Sequence, residues 1–139
     1  SSPEGLLIVF AIPVAKARTI LIRNDDNDTI RLYRRWLEAQ HHIVHVARTG
    51  SQLEEQLAQN RPDLILLDLL MPQWDGWDVL QQIKARPETA DIPVIISSVL
   101  DQPRLGRALG ASTTLHKPIT EAKLLQTVMD VLDGEGNLD

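Results

Sequence analysis

The sequence has no cysteine. Disulfide bridges and cysteine-ligated metal centres are excluded, and a reducing compartment is permitted. No apolar run reaches the roughly 20 residues that a membrane-spanning helix requires, so no membrane contact is expected. Neither sign of charge dominates: 14 Lys and Arg stand against 19 Asp and Glu, a net of -5. That balance argues against a broad nucleic-acid footprint. No DNA-binding region follows Asp139, so neither direct nucleic-acid contact nor a transcriptional role is expected of this chain. What remains, at 139 residues, is one ordinary domain with enough chain for a real core.

The chain is organised around Leu64 to Gly76, LILLDLLMPQWDG. An unbroken apolar run that ends in an acid, Asp68, reads as a strand buried on both faces inside a parallel sheet. A carboxylate at the C-terminal end of such a strand lies where open α/β sheets place their chemistry. Around it, strands and helices alternate. Short strands are expected at Ile20–Ile22, Ile43–Ala47, Val94–Ser98 and Thr114–Lys117. Helices are expected at Asp28–Ala39, at Ser51 (as cap) to about Asn60, at Gly76 to about Ala85 with Asp75 as cap, at Pro103–Leu109, and from Thr120 (as cap) to about Leu132. Five strands alternating with five helices predict an α/β, doubly wound parallel sheet covered on both faces.

The run PDLILLDLLMPQWDGWDVL resembles the phosphoacceptor segment of receiver (response-regulator, CheY-like) domains of two-component phosphorelays. The resemblance covers about Thr19 to Leu132 and supplies the flavodoxin-like strand order 2-1-3-4-5. It implies that Asp68 takes a phosphoryl group from the phosphohistidine of a histidine kinase or phosphotransfer domain. Such a transfer needs a nucleophilic oxygen, a divalent cation and donors for the phosphoryl oxygens. By resemblance Mg2+ is the cation, with the Asp68 carboxylate, Asp25 and the backbone carbonyl of Leu70 as ligands. Lys117, in Leu115-His116-Lys117-Pro118, would pair with Asp68 and later with a phosphoryl oxygen, and its bond to Pro118 would be cis. Ser98, counted from Pro93, would donate to the phosphoryl group. Ser97 is one step off and so on the other face of its strand.

Asn24-Asp25-Asp26 leaves two registers for the family's consecutive acids. If Asn24-Asp25 is the pair, the next helix buries Thr29, Leu32, Tyr33, Trp36 and Leu37. If Asp25-Asp26 is the pair, it buries Ile30, Tyr33, Arg34, Leu37 and Glu38, and buried charge is costly. The first register is preferred. Asp25 is then the direct metal ligand, and Asn24 replaces the acid that reaches the metal through water, so weaker magnesium binding is expected. Arg23, where an apolar residue is usual, has no explanation from sequence. Thr114 stands at the switch position that the family usually gives to Tyr or Phe. Only eleven residues separate Ser98 from Gly110, about one helical turn fewer than in many receivers.

The stretch SVLDQPRLGRALGA looks most like receivers attached to hybrid histidine kinases. The expected division is an upstream segment at 1–18, a receiver at 19–133 and a polar tail at 134–139. Gly5–Ala15, GLLIVFAIPVA, has three readings. It is a signal peptide, although it lacks a basic start and contains Pro13; or the last strand of a preceding kinase ATP-binding domain; or a plain apolar tail. A strand without its sheet would pair with a neighbour or with a second copy, giving a homodimer. The expected setting is cytoplasmic.

Three functions stay in view. A phosphorylatable receiver would catalyse its own phosphorylation and slow dephosphorylation. A degenerate receiver would act only as an interaction module, with Asn24 and Thr114 as the motive. An aspartyl-phosphate hydrolase on the same fold would want Asp-x-Asp, but Leu70 stands at the second place. His41, His42 and His45 are not expected to bind metal, because on a strand His42 points away from His45. Glu54-Glu55 reads as a solvated helix face.

Overall fold

The computed structural model describes residues 17–69, 73–99 and 103–137, with the side chains of 73–75 and 135–137 outside that description. The expected calls on 1–16 and on Leu70 lie outside the described residues. Five strands are β1 Thr19–Arg23, β2 Ile43–Ala47, β3 Leu64–Asp68, β4 Val94–Ser98 and β5 Thr113–His116. Five helices are α1 Asn27–Glu38, α2 Gly50–Gln59, α3 Gln73–Ala85, α4 Pro103–Ala108 and α5 Glu121–Asn137. All neighbouring strands run parallel in the order β2-β1-β3-β4-β5. β3 and β4 are central and buried at every residue, which is why they carry continuous apolar runs rather than alternation. No helix among the described residues is long and apolar enough to cross a membrane.

The pleat splits the core into two layers. One face holds Ile20, Ile22, Leu64, Leu66, Ile95 and Leu115 beneath Tyr33 and Leu37 of α1 and Leu124 and Val128 of α5. The other holds Leu21, Ile65, Leu67, Val94 and Ile96 beneath Leu53 of α2 and Leu80 and Ile83 of α3. Strand alternation delivers both sets from the same short segments.

Several local expectations change. α1 buries Ile30, Tyr33 and Leu37, while Leu32 is 37% exposed. The buried stripe is narrow, so Ile30 goes inward while Arg34 and Glu38 stay outside and pair at 3.1 Å. The helix-face argument for the acid register therefore falls. α2 is capped by Thr49, whose side chain accepts from the Gln52 N–H, rather than by Ser51. α3 begins three residues before Gly76, so Asp75 lies inside the helix. A Cβ at Gly76 would stand 1.9 Å from a Leu69 methyl, so only glycine lets α3 sit so close to the residue after Asp68. α5 runs to Asn137, through most of the expected polar tail. Glu54 is not merely solvated: both its oxygens bond Arg86, at 2.6 and 3.0 Å.

Parallel strands put every C-terminal end at one edge of the sheet. Chain entry lies at the opposite edge, where Arg18, His42, Leu125, Met129, Leu132 and Asp133 line a groove of about 570 Å³. α5 starts beside the functional edge, just after Pro118, and returns toward that entry.

Candidate functional site

Asp68 ends β3 and is 6% exposed. A buried carboxylate needs charge and hydrogen-bond partners. Lys117 supplies the first, its Nζ pairing with Asp68 Oδ1. Lys117 is held there by its own backbone, whose N–H donates to the Ser98 carbonyl at 2.7 Å. Its peptide bond to Pro118 is cis.

The second partner was not anticipated. The ladder registers Asp68 with Ser97, and registered residues of parallel strands point to the same face. Ser97 is fully buried, and its hydroxyl donates to Asp68 Oδ1 at 2.9 Å. Ser97 thus shares the face of Asp68, which corrects the reading that set it aside. Ser98, also buried, ends β4 on the opposite face. The missed signal lies in the register between β3 and β4, which no single strand displays.

Asp68 Oδ2 is buried and has no partner among the described residues. Across the β1–β3 ladder lies the acidic loop. Asn24 is 1% exposed, its N–H donates to the Ala47 carbonyl, and its Oδ1 accepts the Asp26 N–H at 2.8 Å. Asp26 caps α1, taking the N–H and hydroxyl of Thr29. These bonds hold its carboxyl below the usual carboxylate range, and the Lys117 charge adds a smaller pull. Asp26 is engaged as a cap, and Asp25 beside it is also exposed. The orphaned Oδ2 and the Asp25 carboxylate are both hard oxygens, and magnesium needs only one or two carboxylates because it keeps several waters. The residues fit that ion. No group of three or more His, Asp or Glu among the described residues is arranged for a metal.

Two further groups belong to this end of the sheet. Tyr33 is buried, and burial together with the Asp68 charge pushes its hydroxyl up to about 12. On the opposite face, Thr114 Oγ1 is buried without a partner, and a Cβ at Gly106 would lie 2.8 Å from it. α4 therefore rests directly on the place where a ring would otherwise stand. Arg23 donates from Nη1 to the Arg48 carbonyl at 3.1 Å, while its Nε is buried and unpaired.

Residues 20–129 match the family described as the response regulator receiver domain. The chain is 35% identical over 118 residues to protein PilH of Pseudomonas aeruginosa, covering 83% of this chain and 98% of that one. It is 38% identical over 124 residues to a probable cyclic di-GMP phosphodiesterase of Vibrio cholerae, covering 87% of this chain but only 28% of that protein. The signal receiver domain of a signal transduction histidine kinase from Syntrophus aciditrophicus has a TM-score of 0.77 at 30% identity, covering 88% of this chain and 96% of that one.

Proposed function

Because the chain belongs to the response regulator receiver domain family, we propose that Asp68 is its phosphoacceptor and that the donor is a phosphohistidine on a histidine kinase or phosphotransfer domain. The carrying observation is a buried carboxylate at the end of β3 with one oxygen held by Lys117 and the other unpartnered. An Asp68 oxygen attacks phosphorus in line, the bond to the donor imidazole breaks, and its electron pair returns to the ring. Lys117 offsets the carboxylate charge and then follows the phosphoryl oxygens. Ser98, which faces away from Asp68 within the sheet but ends β4 at the same C-terminal edge, would donate its hydroxyl to a phosphoryl oxygen projecting past that edge. The reaction adds charge at a site already holding one, so positioning and charge compensation carry the catalysis.

Asp68, Asp25 and the Leu70 carbonyl would hold Mg2+, with Asn24 reaching it through water. When bound, that ion supplies positive charge for the phosphoryl oxygens. Asn24 brings no charge, and its oxygen already serves the Asp26 N–H, so the proposal includes weak magnesium affinity. Signalling then proceeds by conformational change in which Thr114, not an aromatic ring, occupies the switch position. The parent reading is a receiver at 19–133 following a histidine kinase in the cytoplasm. It is supported by the likeness to a histidine-kinase receiver and by the apolar stretch Gly5–Ala15.

Incubation with acetyl phosphate, with and without magnesium, followed by intact-mass measurement tests this. A phosphoryl adduct is expected that requires magnesium and disappears in Asp68→Ala. Absence of an adduct, together with no beryllofluoride binding, would leave a phosphorylation-independent interaction module instead.

A further inference from the structure

Every other core residue contributed to this layer by the three central strands, up to Asp68, is apolar: Ile20, Ile22, Leu64, Leu66 and Ile95. Ser97 breaks that pattern at full burial. A hydroxyl there is costly unless it is bonded, and its bond goes to the same Asp68 oxygen that Lys117 holds. Oδ1 thus has two donors and Oδ2 has none. The two oxygens of one carboxylate are made unequal by the neighbouring strand.

We propose that Ser97 shortens the life of the aspartyl phosphate by stabilising the carboxylate that leaves when the phosphoryl group is lost. The inference rests on Asp68 being the phosphoacceptor. In dephosphorylation a water oxygen attacks phosphorus and the bond from phosphorus to the Asp68 oxygen breaks. The electron pair stays with the carboxylate, and the water's protons go to the inorganic phosphate. Negative charge therefore grows on the Asp68 oxygens as the reaction proceeds. A hydrogen bond to an ionised acceptor is about twice as strong as one to a neutral acceptor, so the Ser97 hydroxyl bonds the departing carboxylate better than the acyl phosphate. This favours the transition state for loss. The same bond stabilises the unphosphorylated carboxylate, so it also lowers the adduct level at a given donor concentration.

The test is the decay of the adduct after removal of acetyl phosphate, read by intact mass in wild type, Ser97→Ala, Ser97→Cys and Ser97→Thr, with thermal melting as a fold check. The alanine variant should decay about five- to tenfold more slowly and reach a higher steady-state level. Cysteine, near in size but a weak donor, should follow alanine, and threonine should restore wild-type decay. A site merely loosened by the change would take up phosphoryl groups more slowly and would not keep them longer. The cysteine variant decides the matter if alanine does not fold. Unchanged or faster decay in a folded alanine or cysteine variant, with wild type carrying an adduct, would overturn the role of Ser97 alone. No adduct on wild type would overturn the phosphoacceptor reading and this inference with it.

Discussion

On the face covered by α1 and α5, an apolar layer leads up to Asn24, Asp68 and Ser97. On the face covered by α2 and α3, a similar layer leads up to Arg23, Ser98 and Thr114. The first set is largely satisfied: Asn24 accepts the Asp26 N–H, and Ser97 and Lys117 hold one Asp68 oxygen, with Oδ2 left over. The second set keeps Arg23 Nε and Thr114 Oγ1 buried and unpaired. A buried unpaired polar group costs about 1–3 kcal/mol. One face has bonded nearly all its polar groups, with two donors on a single carboxylate, while the other tolerates loose ones. Removing a polar group should therefore have opposite signs on the two faces.

The largest effect should come from Lys117→Met, which leaves the Asp68 charge with only Ser97 for company. Removing one partner of a buried pair costs about 3–5 kcal/mol. Lys117 keeps 23% of its side chain exposed, which puts the expected loss in urea denaturation at the lower end of that range. A loss near zero would mean that Asp68 is not committed to its partners and that the two faces do not differ.

A smaller effect sharpens the same side of the comparison. The Tyr33 hydroxyl is raised from 10.0 to about 12 in the folded protein. The unfolded chain therefore releases this proton first as pH rises, so the contribution is complete below pH 10 and is lost between about 10 and 12. Two units correspond to roughly 2–3 kcal/mol. Tyr33→Phe should flatten the fall in stability across that window.

The smallest effect lies on the other face and has the opposite sign. Thr114→Val replaces an unpaired hydroxyl by a methyl group of similar size and should raise stability by about 1 kcal/mol. A loss of stability on thermal melting would show that the hydroxyl has a partner after all.

The strands were legible because a parallel sheet buried on both faces needs unbroken apolar runs, and Leu64–Leu67 and Val94–Ile96 supply them. Strand order came from family resemblance, since no residue states which strand is its neighbour. Asp68 was legible as a charge closing an apolar strand, whereas Lys117 came from the family resemblance of Leu115-His116-Lys117-Pro118. The α1 core was misread because helical spacing fixes which residues align but not how wide the buried stripe is. Ile30, Tyr33 and Leu37 suffice, and Leu32 is left outside. Ser97 escaped notice because its meaning depends on the ladder partner across the sheet, a relation between distant segments.

The entry groove has a consequence for how the domain can be carried. Arg18 lies beside Leu132 and Asp133, so the chain arrives and α5 winds down at the same place. The strands then lift the chemistry about 13 Å away, four steps at roughly 3.3 Å each. The domain is built like a lamp whose wiring enters through the base. Chain joined at that base would leave the bulb facing outward.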